Sequence, residues 1–227
     1  MRIAVGGACG RMGQAVLRLA REAGIEVAAA IDTAEAPGVV RALEAKVDVL
    51  VDFSSPAGTM ARLEECLRTG TPLVIGTTGF SPEQRARIAE ASRRIPVLLS
   101  ANMSRGMNVL FRWVPELVRM LGEGYDLDLV ETHHRFKKDA PSGSAKTLAE
   151  RIEAASGRRA NLHAIRSGDV VGEHRVLLGA QGESIEIIHR AGSREIFARG
   201  ALEAARWLAG APPGLYSMLD VVAGSNP

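Results

Sequence analysis

Two stretches of this 227-residue chain bring together residue types that could do chemistry. The first, Gly7-Ala8-Cys9-Gly10-Arg11-Met12-Gly13, spaces three glycines as GxxGxxG. Glycines so placed let the backbone turn tightly and approach a pyrophosphate with no Cβ in the way. The N–H groups opening a following helix then receive the negative charge. About 20 residues further on stands Asp32, the position expected of a ribose-binding acid. A carboxylate there accepts hydrogen bonds from both ribose hydroxyls and repels a 2′-phosphate. Thr33 follows it, so no adjacent arginine offsets that repulsion, although Arg11 in the glycine loop is a candidate to do so. NADH is therefore favoured, with NADPH left open. Glycine-rich turns also serve tight packing, and an acid at Asp32 also suits a helix cap. The position between a first strand and a first helix argues for the dinucleotide.

The second stretch is Glu131-Thr132-His133-His134-Arg135-Phe136-Lys137-Lys138-Asp139-Ala140-Pro141-Ser142-Gly143-Ser144-Ala145, which holds two of the five histidines side by side. If a strand runs through His134, the two imidazoles point to opposite faces and do not share one metal. His163, His174 and His189 show no metal-type spacing with them, so no metal is expected. Ser142, Gly143 and Ser144 place hydroxyls and backbone N–H groups at a helix start beside Lys137 and Lys138. Such a turn suits an anion, and a dicarboxylate would be gripped by lysine on one side and helix start on the other. A solvated surface turn with a capping serine is the plainer alternative, and the residues alone leave both open.

The elements that must position these groups follow from hydrophobic period. Arg2–Val5, Val27–Ile31, Val47–Phe53, Leu73–Ile75 and Val97–Leu99 are short apolar runs. Between them lie helical patterns over Met12–Ala23, from Pro56 to Thr69, and after Ser81-Pro82, where Ser81 is the expected N-cap. Apolar strands alternating with helices predict a doubly wound, Rossmann-type parallel α/β sheet with helices on both faces. After Ser104 the pattern changes. A helix from about Met107 to Leu121 leads into β character over Leu127–Phe136, then a helix to Ala155. Strands follow around Leu162–Arg166, His174–Leu178 and Ser184–His189. These predict a second α+β domain with a mainly antiparallel sheet carrying one helix. Glu195–Leu208 is helical again and is expected to return to the first domain. The domains are thus expected at 1–105, completed by 195–227, and at 106–194. Trp113 and Trp207, in helical patterns, read as packing groups, and Cys9 as a small packing residue rather than a nucleophile.

Composition narrows the functional class. With 28 Lys+Arg against 26 Asp+Glu and 4% aromatics, the chain offers neither a strong basic field nor a stacking platform, so no nucleic acid is expected. No apolar run approaches the roughly 20 residues of a membrane span, and the start lacks a secretory pattern. The only two cysteines, Cys9 and Cys66, form no CxxC pair. A cytoplasmic enzyme is expected.

The motifs are also specific to a family. GxxGRMG at 7–13, DFSSP at 52–56, GTTGF at 76–80, SANMSRGMN at 100–108, GDVVGEH at 168–174 and SREIFARGA at 193–201, with the histidine–lysine segment above, resemble the 4-hydroxy-tetrahydrodipicolinate reductase family, along nearly the whole chain. The resemblance implies an NAD(P)H-dependent oxidoreductase of lysine and diaminopimelate biosynthesis, usually a homotetramer built through sheets of its second domain. It implies cofactor contacts at Gly7, Gly10, Arg11, Met12, Gly13, Asp32, Phe53, Gly76, Thr77, Thr78, Ala101, Met103 and Arg194. By the same resemblance His133 is the proton donor and Lys137 a catalytic and substrate-binding lysine, while His134, Lys137, Gly143 and Ser144 hold the substrate's carboxylates. Phe136 stands where many members have histidine, Ser144 where threonine is common, and the chain is short between Asp32 and Val47. The competing readings are a non-catalytic NAD(P)H sensor, and an oxidoreductase acting on another small dicarboxylate or a semialdehyde.

Overall fold

The computed structural model describes residues 1–224, so the last three residues of the C-terminal segment expected at 195–227 lie outside it. The chain divides into two compact units, Met1–Arg105 with the stretch from Glu195 onward, and Gly106–Arg194.

The first unit opens with β1 (Arg2–Gly6), α1 (Arg11–Glu22), β2 (Glu26–Ile31), β3 (Val39–Val40) and β4 (Val49–Asp52). It continues through α2 (Pro56–Thr69), β5 (Leu73–Ile75), α3 (Pro82–Ala91) and β6 (Pro96–Leu99). Seven strands pair in the order β11-β6-β5-β4-β1-β2-β3, every pair parallel, with the chain returning at its C-terminal end to supply β11 (Gly214–Tyr216). The strands are apolar throughout because both faces are covered. Ile3, Val5, Val49 and Val51 join a core with α1 and with Ala198, Ala201 and Ala205, whereas Ala4, Leu50 and Leu73 pack with Leu63 and Cys66 of α2 and Ile88 of α3. Each fully buried Val, Leu or Ile side chain among them contributes roughly 1.5–3 kcal/mol.

The helix boundaries obey local chemistry. Ser55 caps α2 from its side chain to the Gly58 N–H, and Gly70 ends it in the left-handed region at φ 70°. Ser81 and Gln84 form a reciprocal capping box on α3, with Pro82 at the first helical position. The strand order reverses between β1 and β4, so their carboxyl ends open a crevice at a topological switch point. Between Asp32 and Val47 the connection holds only the two residues of β3 and no helix.

The second unit contains α4 (Arg105–Leu121, all but its first residue), β7 (Asp126–His133), α5 (Gly143–Ser156), β8 (Asn161–Arg166), β9 (Gly172–Ala180) and β10 (Glu183–Ala191). Its sheet order is β10-β9-β7-β8. Pairs β10–β9 and β9–β7 are antiparallel, while β7–β8 is parallel and spanned by the α5 crossover. Leu127, Leu129, Glu131 and His133 alternate inward along β7. The strand ends at His133, short of the expected Phe136, because the chain turns: the Lys137 N–H donates to the His134 carbonyl at 3.1 Å. Trp113 is 63% exposed and is not a packing group, whereas Trp207 meets Tyr216 edge-on at 5.0 Å.

The chain then re-enters the first unit as α6 (Glu195–Leu208), followed by β11 and α7 (Met218–Val222). Small residues let α6 approach closely, and a Cβ at Gly200 would overlap the Met103 carbonyl oxygen. Gly200→Ala is therefore expected to lower stability by about 1–3 kcal/mol despite alanine's better helix propensity. A denaturant midpoint equal to that of the parent would show that this contact yields freely.

Candidate active site

In the first unit the chain leaving β1 turns at Gly7, whose φ is +72°. A Cβ there would lie 2.6 Å from the Phe53 carbonyl oxygen, and one at Gly13 would overlap the Gly7 carbonyl. The loop folds onto the end of β2 through Ala8 N–H to Ile31 O at 3.1 Å and Gly10 N–H to Gly7 O at 3.0 Å. Gly10 caps α1 without any side-chain hydrogen bond. The first N–H groups of that helix thus have no side chain of their own cap to satisfy them.

Asp32 faces the same loop. Its carboxylate accepts from the backbone N–H groups of Cys9 at 2.9 Å, Ala34 at 3.1 Å and Thr33 at 2.7 Å, which hold its pKa below the ordinary carboxylate value. Cys9 is exposed and contributes this amide rather than a packed side chain, a correction to the sequence expectation. Gly7, Gly10, Asp32, Phe53, Ser54 and Arg41 border one cleft of about 600 Å³.

Behind the cleft lies Asp52, fully buried at the end of β4. It accepts hydrogen bonds from Ser54 Oγ at 2.8 Å, Thr77 Oγ1 at 3.0 Å and Thr59 Oγ1. One carboxylate thereby ties the β4–α2 turn to the loop after β5. Gly76 in that loop is pressed by the Phe53 ring, which a Cβ would overlap. Sequence reasoning quoted Asp52 only as part of a motif. An acid directly after the apolar run Val49–Val51 was the signal.

Other expected cofactor residues are placed differently. Met103 is buried in the core and Met12 packs against it, so neither side chain opens to the cleft. Arg11, Thr78 and Ala101 are exposed, and Arg194 lies exposed in the turn before α6, in the second unit. The residues that do converge fit a dinucleotide: a backbone cradle that side chains would fill, an uncapped helix start and an acid beside it.

The second unit gathers a different set. Glu131 and His133, two residues apart on β7, share one face of the strand. Fully buried, Glu131 accepts from Arg166 Nη2 at 2.7 Å and Nη1 at 2.9 Å, from the Ser142 N–H at 3.1 Å, and meets His133 Nδ1. Burial alone would raise its pKa, but Arg166 and then His133 hold it below the ordinary value. Ser142 caps α5, accepting from the Ala145 N–H at 3.2 Å, and its Oγ is 3.1 Å from His174 Nε2. His174 stands edge-on to His133 at 5.3 Å between centroids. Burial lowers the pKa of both imidazoles, that of His174 to about 4.

Lys137 pairs with Asp139 at 2.9 Å, and Gly143 and Ser144 are the first two residues of α5. His134 stands just past the strand end, its Nδ1 buried without a hydrogen-bond partner among the described residues, the kind of group a polar ligand satisfies. Phe136 is 80% exposed. Sequence reasoning missed Arg166 and His174, which reach the site from β8 and β9. Among the described residues no group of three or more His, Cys, Asp or Glu is arranged to hold a metal, and no helix is long and apolar enough to cross a membrane.

Fold and site together define a dinucleotide-binding α/β protein with an imidazole–carboxylate site on a separate mixed sheet. Family models for the N-terminal and C-terminal parts of dihydrodipicolinate reductase match residues 1–103 and 106–222. The chain is 41% identical to a 4-hydroxy-tetrahydrodipicolinate reductase of Anaeromyxobacter dehalogenans, covering 97% of each chain. It is 40% identical to that of Syntrophotalea carbinolica, covering 98% of each. This chain belongs to the dihydrodipicolinate reductase family. A dipicolinate-bound dihydrodipicolinate reductase from Paenisporosarcina sp. TG-14 shares the fold, with a TM-score of 0.83 at 21% identity over 96% of this chain and 97% of that one.

A pH dependence follows from the buried imidazoles. A histidine whose folded pKa is depressed contributes stability above its unfolded value of about 6.5 that is lost as pH falls towards the folded value. Between pH 6.5 and 4, His174 alone is expected to withdraw up to about 3 kcal/mol. His174→Gln, which keeps an amide for Ser142, should flatten the fall of Tm over that window. An unchanged slope would place the acid sensitivity elsewhere.

Proposed function

We propose that this chain reduces 4-hydroxy-tetrahydrodipicolinate, after loss of water to the conjugated cyclic imine, to tetrahydrodipicolinate with NADH or NADPH. The observation that carries this reading is the match at 41% identity over 97% of the chain, in a molecule that holds both a glycine cradle and a histidine–lysine site. A dinucleotide held at the glycine loop and Asp32 would supply a hydride to ring carbon 4. The chain's own residues do the rest. The start of α5 at Gly143 and Ser144, with His134 and Lys137, binds the two carboxylates, setting the ring's orientation. Hydride addition places electron density on the ring nitrogen and on the carbon next to the one that takes the hydride. His133 delivers the proton that quenches it, and the Lys137 ammonium stabilises the charge beforehand.

NADH is the favoured cofactor because Asp32 repels a 2′-phosphate. Arg41, which borders the same cleft while paired with Glu35 at 3.0 Å, moderates that repulsion, so NADPH is used as well. Assembly is proposed to be a homotetramer through the second sheet. The face opposite α5 carries Val130, Leu177, Ile188 and the 46%-exposed Ile165 among the paired charges of Arg175, Glu173 and Glu186.

A coupled assay tests the reading: a synthase makes the substrate from pyruvate and aspartate semialdehyde, and absorbance follows the reduced cofactor. Synthase-dependent oxidation is expected. Its absence with both cofactors, in folded protein that binds NADH, would overturn the assignment. In the same assay Lys137→Ala is expected to lose 100-fold or more of the rate, on the order of general-acid contributions, with NADH affinity retained. Asp32→Asn is expected to lower the NADH-to-NADPH rate ratio about five-fold, the equivalent of removing roughly 1 kcal/mol of repulsion.

A further inference from the structure

The proposed reaction uses His133 but gives no task to the carboxylate and guanidinium behind it, nor to the GDVVGEH motif. These groups meet in one buried network. Glu131 is fully enclosed and accepts from Arg166 through two parallel N–H···O bonds, a fork that binds both carboxylate oxygens at once. Arg166 is held in turn, donating from Nη2 to the Asp139 carbonyl at 2.6 Å and from Nη1 to the Ile165 carbonyl at 2.7 Å. It stands opposite His133 in the parallel register of β7 and β8. The oxygens of Glu131 divide their remaining capacity between two parts of the site. Oε2 meets His133 Nδ1, and Oε1 accepts the backbone N–H of Ser142, the cap of α5.

An ionised carboxylate only accepts hydrogen bonds, so the nitrogen that faces it carries a hydrogen. The neutral imidazole of His133 is then protonated at Nδ1 and bare at Nε2. The Nε2 edge lies over Gly172, where an added Cβ would come within 3.1 Å of that nitrogen. The glycine of the motif leaves the edge uncrowded. The histidine two residues on, His174, packs against the His133 ring and bonds the same Ser142 through its hydroxyl. The groups around His133 are therefore Glu131 beside it on β7, Arg166 from β8, His174 from β9 and Lys137 from the following loop.

We propose that Glu131, fixed by Arg166, is the positioning residue of this site: it sets resting His133 in the Nδ1-protonated form, so that Nε2 is the atom that takes a proton from water and then passes it to the reduced substrate while the carboxylate supports the transient imidazolium, and it anchors the cap of the carboxylate-binding helix. The proposal rests on the assignment of substrate to this site and adds the device that orders it. Glu131 itself touches no substrate. A carboxylate serving only as a structural ion pair would leave the tautomer of His133 indifferent to its replacement by an amide.

Long-range proton–nitrogen correlation spectra of the full-length wild type, without substrate, are the first test. A His133 bearing its proton on Nδ1 at neutral pH is expected, and one protonated on Nε2 overturns the proposal. In Glu131→Gln the amide can keep its oxygen for Arg166 and Ser142 and turn its NH₂ to His133, which should shift the imidazole proton to Nε2. The turnover rate is expected to fall roughly 10- to 100-fold, as for other residues that orient a working histidine, with NADH affinity unchanged. Glu131→Asp, which retains the charge, should restore the Nδ1-protonated form and part of the rate. A folded Glu131→Gln that keeps the parent tautomer, or a rate within two-fold of the parent, refutes the positioning role. Should Glu131→Gln fail to fold, the wild-type and Glu131→Asp spectra decide. The tautomer needs no turnover, so a protein inactive on the proposed substrate would sink the functional reading and leave the positioning test standing.

Discussion

A carboxylate removed from water must be surrounded by donors, since an unpaired buried charge costs several kcal/mol. Each unit of this molecule contains one such group at full burial, and the local architecture is built around it. Asp52 collects three hydroxyls from the β4–α2 turn, from α2 and from the loop after β5. Glu131 collects a guanidinium, an imidazole and a backbone amide from β8, β7 and the cap of α5. In both cases the oxygens cannot be satisfied unless distant segments come to fixed positions. The same requirement that keeps the fold unique therefore sets the geometry of residues proposed to bind cofactor and substrate.

Close backbone approach is the second organising condition. Gly7 and Gly13 let the loop after β1 pack against Phe53 and against itself, and Gly200 lets α6 lie on the Met103 carbonyl. A parallel sheet covered on both faces leaves its strand ends as the place where backbone N–H groups meet a ligand. The crevice at the β1–β4 reversal is the corresponding place here, proposed above for the cofactor, and Asp32 joins it because β2 lies next to β1 in the sheet. In the connection after Asp32, Arg41 borders the same cleft, which is why it enters the proposed cofactor preference.

Much of this was legible before any coordinates. The strand and helix periods, the Ser81 cap with Pro82, the glycine loop with Asp32, and the split in character after Ser104 are all local signals. Each arises within one turn of helix, one strand or one loop, where residue type and spacing act directly on backbone conformation. The histidine–lysine segment was legible as a concentration of candidate groups for the same reason, since they are close in sequence, although the residues alone left an anion site and a solvated turn both open. Trp113 shows the limit, because helical spacing reports a face without reporting what covers it.

What the sequence by itself determined is therefore the set of elements, the parallel α/β plan of the first unit, and which short segments gather candidate groups for chemistry. Only the tertiary structure decided that β7 stops at His133, that β11 completes the first sheet, and that Arg166, 35 residues from Glu131, and His174 close around one carboxylate. These depend on strand register and on pairing across long loops. Register is a property of two strands together, and a buried charge chooses its partners only after the sheet has brought them within hydrogen-bonding distance.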